Sequence, residues 1–376
     1  MTGADSRSAD VIVIGGGIHG CSTALHLARL GLRPVLLEKD HVGRHASGVN
    51  AGGVRRLGRH LAEVPLSVAS MQIWHEIESL VDDDCGFTSH GQIKVAENEK
   101  ELAILRQRVA SMQALGFTHE ELIGRDELHA LLPAVAEHCV GGIVCRTDGA
   151  ALPYRTTLAF ARKAAALGAR VREGVRVLSL QRKDGLWQVT TSEGSYEAPA
   201  VVNAAGAWAG ELSAALGEPV PLKAVAPMLM ITERVPHFID PVVGAAGRTL
   251  SFKQFDNGTV MIGGGLQGTA HPERNETVLD FALLAVNART VHDLFPIMRG
   301  VQVVRAWAGI EARMPDDIPV IGPSRRHEGL WHSFGYSAHG FQMGPIVGRI
   351  VADLVTGRET PFDLRPFDIA RFGTIH

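Results

Sequence analysis

The chain has 376 residues, 45% hydrophobic and 20% charged, with a formal net charge of −3. This length exceeds one simple core and implies two intertwined domains, and the near-neutral balance gives no electrostatic footprint for nucleic acid or an anionic membrane surface. No apolar run approaches the ~20 residues of a membrane span; Cys21, Cys85, Cys139 and Cys145 form no C-x-x-C pair, so no metal site is expected and a reduced, cytoplasmic setting is the default.

Residues 1–9 are small and polar, lack the basic and apolar regions of a signal peptide, and read as a disordered tail. The strongest signal follows at once. Asp10 to Ile14 is a short apolar run of the kind that forms a buried parallel strand. Gly15, Gly17 and Gly20 then satisfy G-x-G-x-x-G, a helical pattern runs to Arg29, and Pro34 to Leu37 gives a second strand ending at Glu38. Gly15 serves the tight turn, Gly17 the approach of a pyrophosphate, and Gly20 close helix–strand packing; the helix N-terminus supplies N–H groups and a positive dipole end. Glu38 is placed to accept hydrogen bonds from a ribose. A lone glycine triplet is weak, but strand, helix, second strand and acid fall in register here.

Between Gly43 and Gly58, five glycines stand among Arg44, Arg55, Arg56 and Arg59. The glycines argue for a loop lying against a ligand. The arginines fit either a solvated basic loop or one bidentate contact to a substrate carboxylate. Helices are expected over Glu63–Val81 (Pro65 in its first turn), Asn98–Leu115, residues 124–133 and Thr156–Leu167, and a strand over Phe87–Val95. Ala169 to Glu197 alternates around Asp184-Gly185 and Glu193-Gly194 as an antiparallel meander. Val201 and Val202 then lead into Asn203-Ala204-Ala205-Gly206-Ala207-Trp208, either simple packing or the return strand of the nucleotide site. Pro221–Thr232, Thr249–Phe255 and Thr259–Gly264 read as strands, the last two a hairpin across Asp256-Asn257-Gly258, and Glu276–Phe295 as a helix. Gly335 to Gly344 leads into a final helix with Pro345 in its first turn and Gly357 at its end.

On three separated stretches the chain resembles the flavin-dependent D-amino acid oxidase/glycine oxidase/sarcosine oxidase family. These are G-G-G-I-H-G with Glu38, N-A-A-G-A-W, and W-A-G followed by P-D-D-I-P-V-I-G and G-Y-S-A-H-G. Within that family it looks most like the flavin subunits of heteromeric hydroxyproline and opine dehydrogenases. The implied fold is α/β, a Rossmann-type FAD-binding domain (1–85, 146–215 and 305–376) with an α+β substrate domain on an antiparallel sheet (86–145 and 216–304).

The resemblance implies FAD, with its ADP half on Gly15, Gly17, Ile18, His19 and Gly20 and on Glu38 and Lys39. It places His45, Ala46, Ser47, Asn50, Gly52, Gly53 and Val54 along the pyrophosphate and flavin, the Val177 backbone near the adenine, and Ala204, Ala205, Gly206 and Trp208 beside the nucleotide. Gly309, Gly335, Tyr336, Ser337, His339, Gly340, Phe341, Gln342 and Met343 fall at the flavin, where a helix N-terminus would favour the negative charge of the reduced ring. Gly309 and Asn50 stand where covalent-flavin members carry cysteine and histidine, so the FAD is expected to be noncovalent.

For the substrate, the resemblance makes Arg55 the carboxylate partner, with a flavin or structural contact as its other reading. Glu311 occupies the place of a carboxylate-binding arginine; it reads either as a surface carboxylate paired with Arg313 or as a partner for a substrate ammonium or hydroxyl. Gln342 replaces a second carboxylate-binding lysine, and Met261 stands where oxidases carry the lysine used for oxygen. His339 reads as a plain helix start or as a hydrogen bond to flavin or substrate. The implied chemistry is hydride transfer from a small D-amino acid or secondary amine to flavin N5, giving an imine. The alternatives are a peroxide-forming oxidase, a flavin subunit inert without partner chains, and an NAD-dependent enzyme.

Overall fold

The structure, a computed structural model, describes residues 8–373. The expected tail falls largely on residues 1–7, outside the described residues, whereas Ala9 is ordered and donates its N–H to the carbonyl of Glu197 at 3.0 Å.

A six-stranded sheet organises the first half of the fold, in the order Val320–Pro323, Leu330–Phe334, Ala200–Asn203, Val11–Ile14, Pro34–Leu37, Arg170–Arg172. All neighbours are parallel except the edge pair Val320–Pro323 and Leu330–Phe334. The central strand is apolar throughout because both its faces are covered. Val11 and Val13 pack with the helices Ile18–Arg29, Pro153–Ala166 and Gly340–Val355, while Ile12 and Ile14 meet Trp187, Val189 and Tyr196 of a three-stranded antiparallel sheet. The expected meander thus holds from Val177 to Ala198, but its first segment, Arg170–Arg172, pairs instead with Pro34–Leu37.

Two helices of this layer touch almost backbone to backbone. A β-carbon on Gly344 would lie 2.5 Å from Ile18 Cγ1, and one on Gly348 2.1 Å from Ser22 Oγ. The same packing explains why the last helix starts at Gly340 rather than near Pro345. A β-carbon at Gly340 would sit 2.7 Å from Tyr336 and 2.8 Å from His19 Nε2, so contact favours the glycines that propensity disfavours. Pro345 is therefore inside the helix, not in its first turn.

The second sheet has eleven strands and brings Gln92–Ala96, Glu121–Gly124 and Gly141–Cys145 together with strands from Lys223 to Arg313. It is mixed rather than purely antiparallel, since Val242–Ala245 runs parallel to Gln92–Ala96. The hairpin Ser251–Gln254 and Thr259–Gly263 forms across Asn257-Gly258 as its turn chemistry requires. One face carries Ile93, Val95, Val243, Phe252 and Ile262, covered by Leu128, Leu284, Val291 and Leu294. The expected boundary at 305 falls within this sheet, because Val303–Ala308 and Glu311–Arg313 pair with Lys223–Arg234; we propose that the second unit runs on to Arg313.

Three further helix expectations change. Glu63–Val81 divides at Glu76 into Val64–His75 and Ile77–Val81. The helix Pro153–Ala166 begins earlier than Thr156, with Pro153 in its first turn. Glu276–Val278 is a strand held by Gln267–His271, and the helix starts at Phe281, where Asp280 accepts the N–H of Leu283 at 3.0 Å.

Candidate active site

The turn after Val11–Ile14 admits no side chain. Gly15 has φ +107°, and a β-carbon there would sit 2.4 Å from the Ala204 carbonyl oxygen. A β-carbon on Gly20 would meet the Gly15 carbonyl at 1.9 Å, so Gly20 seats the helix on the strand without reaching the site. The helix opens after Gly17 with its first N–H groups lacking intrahelical acceptors; the Ile18 N–H is donated to Ser47 Oγ at 2.9 Å. Glu38 accepts the N–H of Gly16 at 2.6 Å and of Asp40 at 2.8 Å, and burial pushes its carboxyl above the usual range.

A cavity of about 170 Å³ lies over this turn, walled by Gly15, Gly17, Glu38, Val177, Ala205 and Trp208. Beside it Lys39 Nζ stacks 3.9 Å over the Trp208 ring and donates to Asp40 and to Asn275 Oδ1, each at 2.5 Å. Asn275 belongs to the second sheet's outer hairpin and also donates to Asp40 at 2.9 Å. His45 Nε2 lies 2.9 Å from Asp40 Oδ2, completing a polar cluster that ties the two sheets together.

A larger cavity of about 850 Å³ adjoins it and shares Gly17, Ala46, Ser47, Ala204 and Gly206 as walls. The segment expected as a plain loop contributes a one-turn helix, Ala46–Val49, and a short strand, Gly53–Val54. Trp307 Nε1 donates to the Val49 carbonyl at 2.9 Å. The Asn50 carboxamide is used locally, donating to Ala46 O at 2.8 Å and accepting from Gly52 N–H at 2.7 Å. Opposite, His19 stacks on Tyr336 at 3.5 Å with an interplanar angle of 2°. Burial pushes the His19 imidazole down to about 3, so it is neutral.

The cavity wall carries groups of both signs. One is Glu311, whose Oε1 accepts the Ala338 N–H at 2.6 Å. Arg313 pairs with Asp317 instead, at 2.8 Å. Glu311 is therefore no surface carboxylate; its remaining exposure is to the cavity, and burial pushes its carboxyl up to about 7. The cationic groups on the wall include Arg55, Arg59 and Lys94. His339, also on the wall, has its Nδ1 2.9 Å from Glu63 Oε2. Burial disfavours the imidazolium of His339; the Glu63 carboxylate, though buried, is held ionised by the His339 hydrogen bond and by the charges of Arg59 and Arg55. His339 thus donates from Nδ1 and keeps Nε2 as an acceptor.

Of the expected site residues, Arg55, Glu311, His339 and Gln342 all border the larger cavity. Gln342, however, is committed: Oε1 receives Ser67 Oγ at 3.2 Å and Arg59 Nη2 at 3.4 Å, and Nε2 donates to Ser67 O at 2.8 Å. It positions Arg59, and with its side chain fully buried and one of its two Nε2 hydrogens spent on Ser67 it is a structural link rather than a free donor. Gly20, Val54, Ser337 and Met343 lie behind the walls; Ser337 Oγ instead accepts the Met314 N–H at 3.0 Å. Arg59, one of the four loop arginines weighed for a carboxylate contact, does reach the cavity wall, whereas Lys94 and Gln92 were not anticipated. The alternation in Gln92-Ile93-Lys94-Val95 carries the signal for both, since Ile93 and Val95 face the core and Gln92 and Lys94 the cavity.

The shape and glycine contacts of these joined cavities fit a dinucleotide with an attached ring system, its phosphates at the start of helix Ile18–Arg29. Comparisons agree. A family model for FAD dependent oxidoreductases of the DAO type matches residues 10–354. A glycine oxidase of Geobacillus kaustophilus is 27% identical over 384 residues, covering 96% of this chain and 97% of its own. Dimethylglycine dehydrogenase of Rattus norvegicus is 25% identical over 97% of this chain, which spans only 45% of that longer protein. Among solved structures, the Geobacillus kaustophilus glycine oxidase superposes with a TM-score of 0.90 at 25% identity, covering 98% of this chain and 100% of the other. L-proline dehydrogenase from P. horikoshii gives 0.91 at 25% identity, with 98% of each chain covered. The chain belongs to the DAO family of FAD-dependent oxidoreductases.

Proposed function

We propose that the protein oxidises the C–N bond of a small amino acid or secondary amine, the substrate lying in the larger cavity between Glu311 and Arg55. The relatives named above, acting on glycine, dimethylglycine and proline by their names, support this class. The observation that carries it is that one cavity is bordered by both a carboxyl group, Glu311, and a guanidinium group, Arg55, which matches the two charges of an amino acid zwitterion.

The FAD would be held noncovalently, its ADP half over Gly15–Gly20 and Glu38 and its ring system in the larger cavity. When bound, it supplies the hydride acceptor that converts the amine to an imine. The chain's own residues do the rest. Arg55 and Arg59 fix the carboxylate, which orients the carbon to be oxidised. Glu311, with its carboxyl near 7, accepts the ammonium proton at neutral pH and leaves the amine uncharged. The Ala338 N–H steadies the ionised carboxylate that is poised to take this proton.

The test is an anaerobic spectrum of the purified protein mixed with glycine, sarcosine, proline and cis-4-hydroxy-D-proline. Bleaching of the flavin band by one of them supports the reading; a flavin band that no amine bleaches overturns it. Acid precipitation should leave the flavin in the supernatant. A second reading, a peroxide-forming oxidase, is favoured by Lys253. This buried lysine pairs across the strands with Met261, so the two side chains share a face. Peroxide formed in step with amine consumption would support it.

A further inference from the structure

We propose that the cavity takes a substrate with two carboxylates, an amino acid bearing a second acid on its side chain or its nitrogen. This rests on the reading of the cavity as an amine-oxidation site. The argument is one of charge. One cluster holds five cations, Arg55, Arg56, Arg59, Lys94 and Arg108, and three carboxylates, Glu63, Glu120 and Asp148.

Asp148 and Glu120 are each engaged by a cation outside the trio that borders the cavity, while the charge of Glu63 acts on Arg59 and Arg55 and offsets one of the trio's three. Asp148 accepts Arg56 Nε at 3.0 Å and the N–H groups of Arg56 and Leu57 at 2.7 and 2.9 Å. Glu120 accepts Arg108 Nε and Nη2, both at 2.7 Å, and the Gly58 N–H at 2.8 Å. Glu63 accepts from His339. Arg248, elsewhere on the rim, is neutralised by Glu97 and Asp293. Two positive charges are left facing the cavity without a counter-ion.

The hydrogen bonding agrees. Arg55 gives one bond, from Nη1 to the Leu57 carbonyl at 2.6 Å. Arg59, only 2% exposed, donates to the Arg55 carbonyl at 3.0 Å and to Gln342, while its Nη1 is buried with no acceptor among the described residues. Lys94 makes no hydrogen bond or ion pair among the described residues. Arg55 Nη1 and Lys94 Nζ converge over Gly58, at 3.6 and 4.0 Å from where its β-carbon would stand. Burial holds all three cations below their ordinary ranges, as expected of a site completed by an anionic ligand. A monocarboxylate supplies one negative charge; a diacid balances both.

The test uses the flavin-loaded enzyme. Diglycolate, an ether diacid that cannot form an imine, and its monoacid counterpart methoxyacetate are titrated against the flavin spectrum. Aspartate, glutamate and iminodiacetate are then compared with alanine, glycine and sarcosine as anaerobic reductants. Diglycolate should bind at least ~10-fold more tightly than methoxyacetate, and Lys94→Met should shrink the diacid-to-monoacid ratio of kcat/KM by roughly tenfold. Monoacids that reduce the flavin as well as diacids do, with a ratio that Lys94→Met leaves unmoved, would overturn the diacid inference while sparing amine oxidation. Reduction by no amine of either kind, despite a bound flavin, would instead overturn the amine-oxidation reading beneath it.

Discussion

Ala338 gives its N–H to Glu311 at 2.6 Å from within a turn where both Ser337 and Ala338 hold left-handed φ angles, +50° and +68°. Non-glycine residues adopt that region at a cost, and here the turn aims a backbone donor at a buried carboxylate. If Glu311 takes the substrate proton, kcat/KM should climb through about pH 7, where its carboxyl ionises. Glu311→Gln should abolish that climb and lower the plateau by ~10–100-fold while retaining FAD. The pH profiles of the two proteins check this, and an unchanged climb in the variant would remove Glu311 from the proton path.

Glu38 closes the glycine turn by accepting the Gly16 N–H at 2.6 Å. Glu38→Ala should weaken FAD retention by roughly tenfold or more through the lost turn contact and ribose acceptor. Flavin content after dialysis measures it; full occupancy in the variant would count against the assignment.

Lys253 is 6% exposed and has no hydrogen-bond or carboxylate partner among the described residues, only the Phe255 ring at 4.8 Å. Burial pushes its amine down to about 8 from 10.5. The folded state therefore releases this proton before the unfolded chain does, so stability rises between about pH 8 and 10.5 and carries the full penalty below 8. The penalty is about 3 kcal/mol in order of magnitude. Lys253→Met should raise the thermal midpoint of the flavin-free protein at pH 7, with a smaller gain at pH 10. A lower midpoint at pH 7 would show that the amine has a partner in solution.

Gly348→Ala should cost about 1–3 kcal/mol by prising apart the helices Ile18–Arg29 and Gly340–Val355. Trimming the facing side chain with Ser22→Ala should not restore stability, since the Ser22 carbonyl carbon itself stands 2.5 Å from the added methyl. Chemical denaturation of the single and double variants decides it.

What the sequence disclosed follows from the range of the interactions involved. The run Val11–Ile14 and the glycines after it were legible because a strand buried on both faces must be wholly apolar, and because Gly15 and Gly20 answer to contacts that no other residue permits. The start of the last helix was not, since Gly340 and Gly344 answer to His19 and Ile18, far away in the chain, as well as to nearby Tyr336. Glu276–Val278 was read as helix because its strand character comes from pairing with Gln267–His271. Arg55 and Glu311 were found through resemblance, but the isolation of Arg59 and Lys94 is a property of where other carboxylates are spent, which spacing along the chain does not record.

The polar cluster of Lys39, Asp40 and Asn275 has a kinetic meaning beyond its bonds. It clasps the outer hairpin of one sheet to the loop leaving the other, with Lys39 and Trp208 forming part of the wall of the nucleotide cavity. Departure of a seated nucleotide past this wall is then tied to unclasping two halves of the molecule, and its residence time reports how often they part.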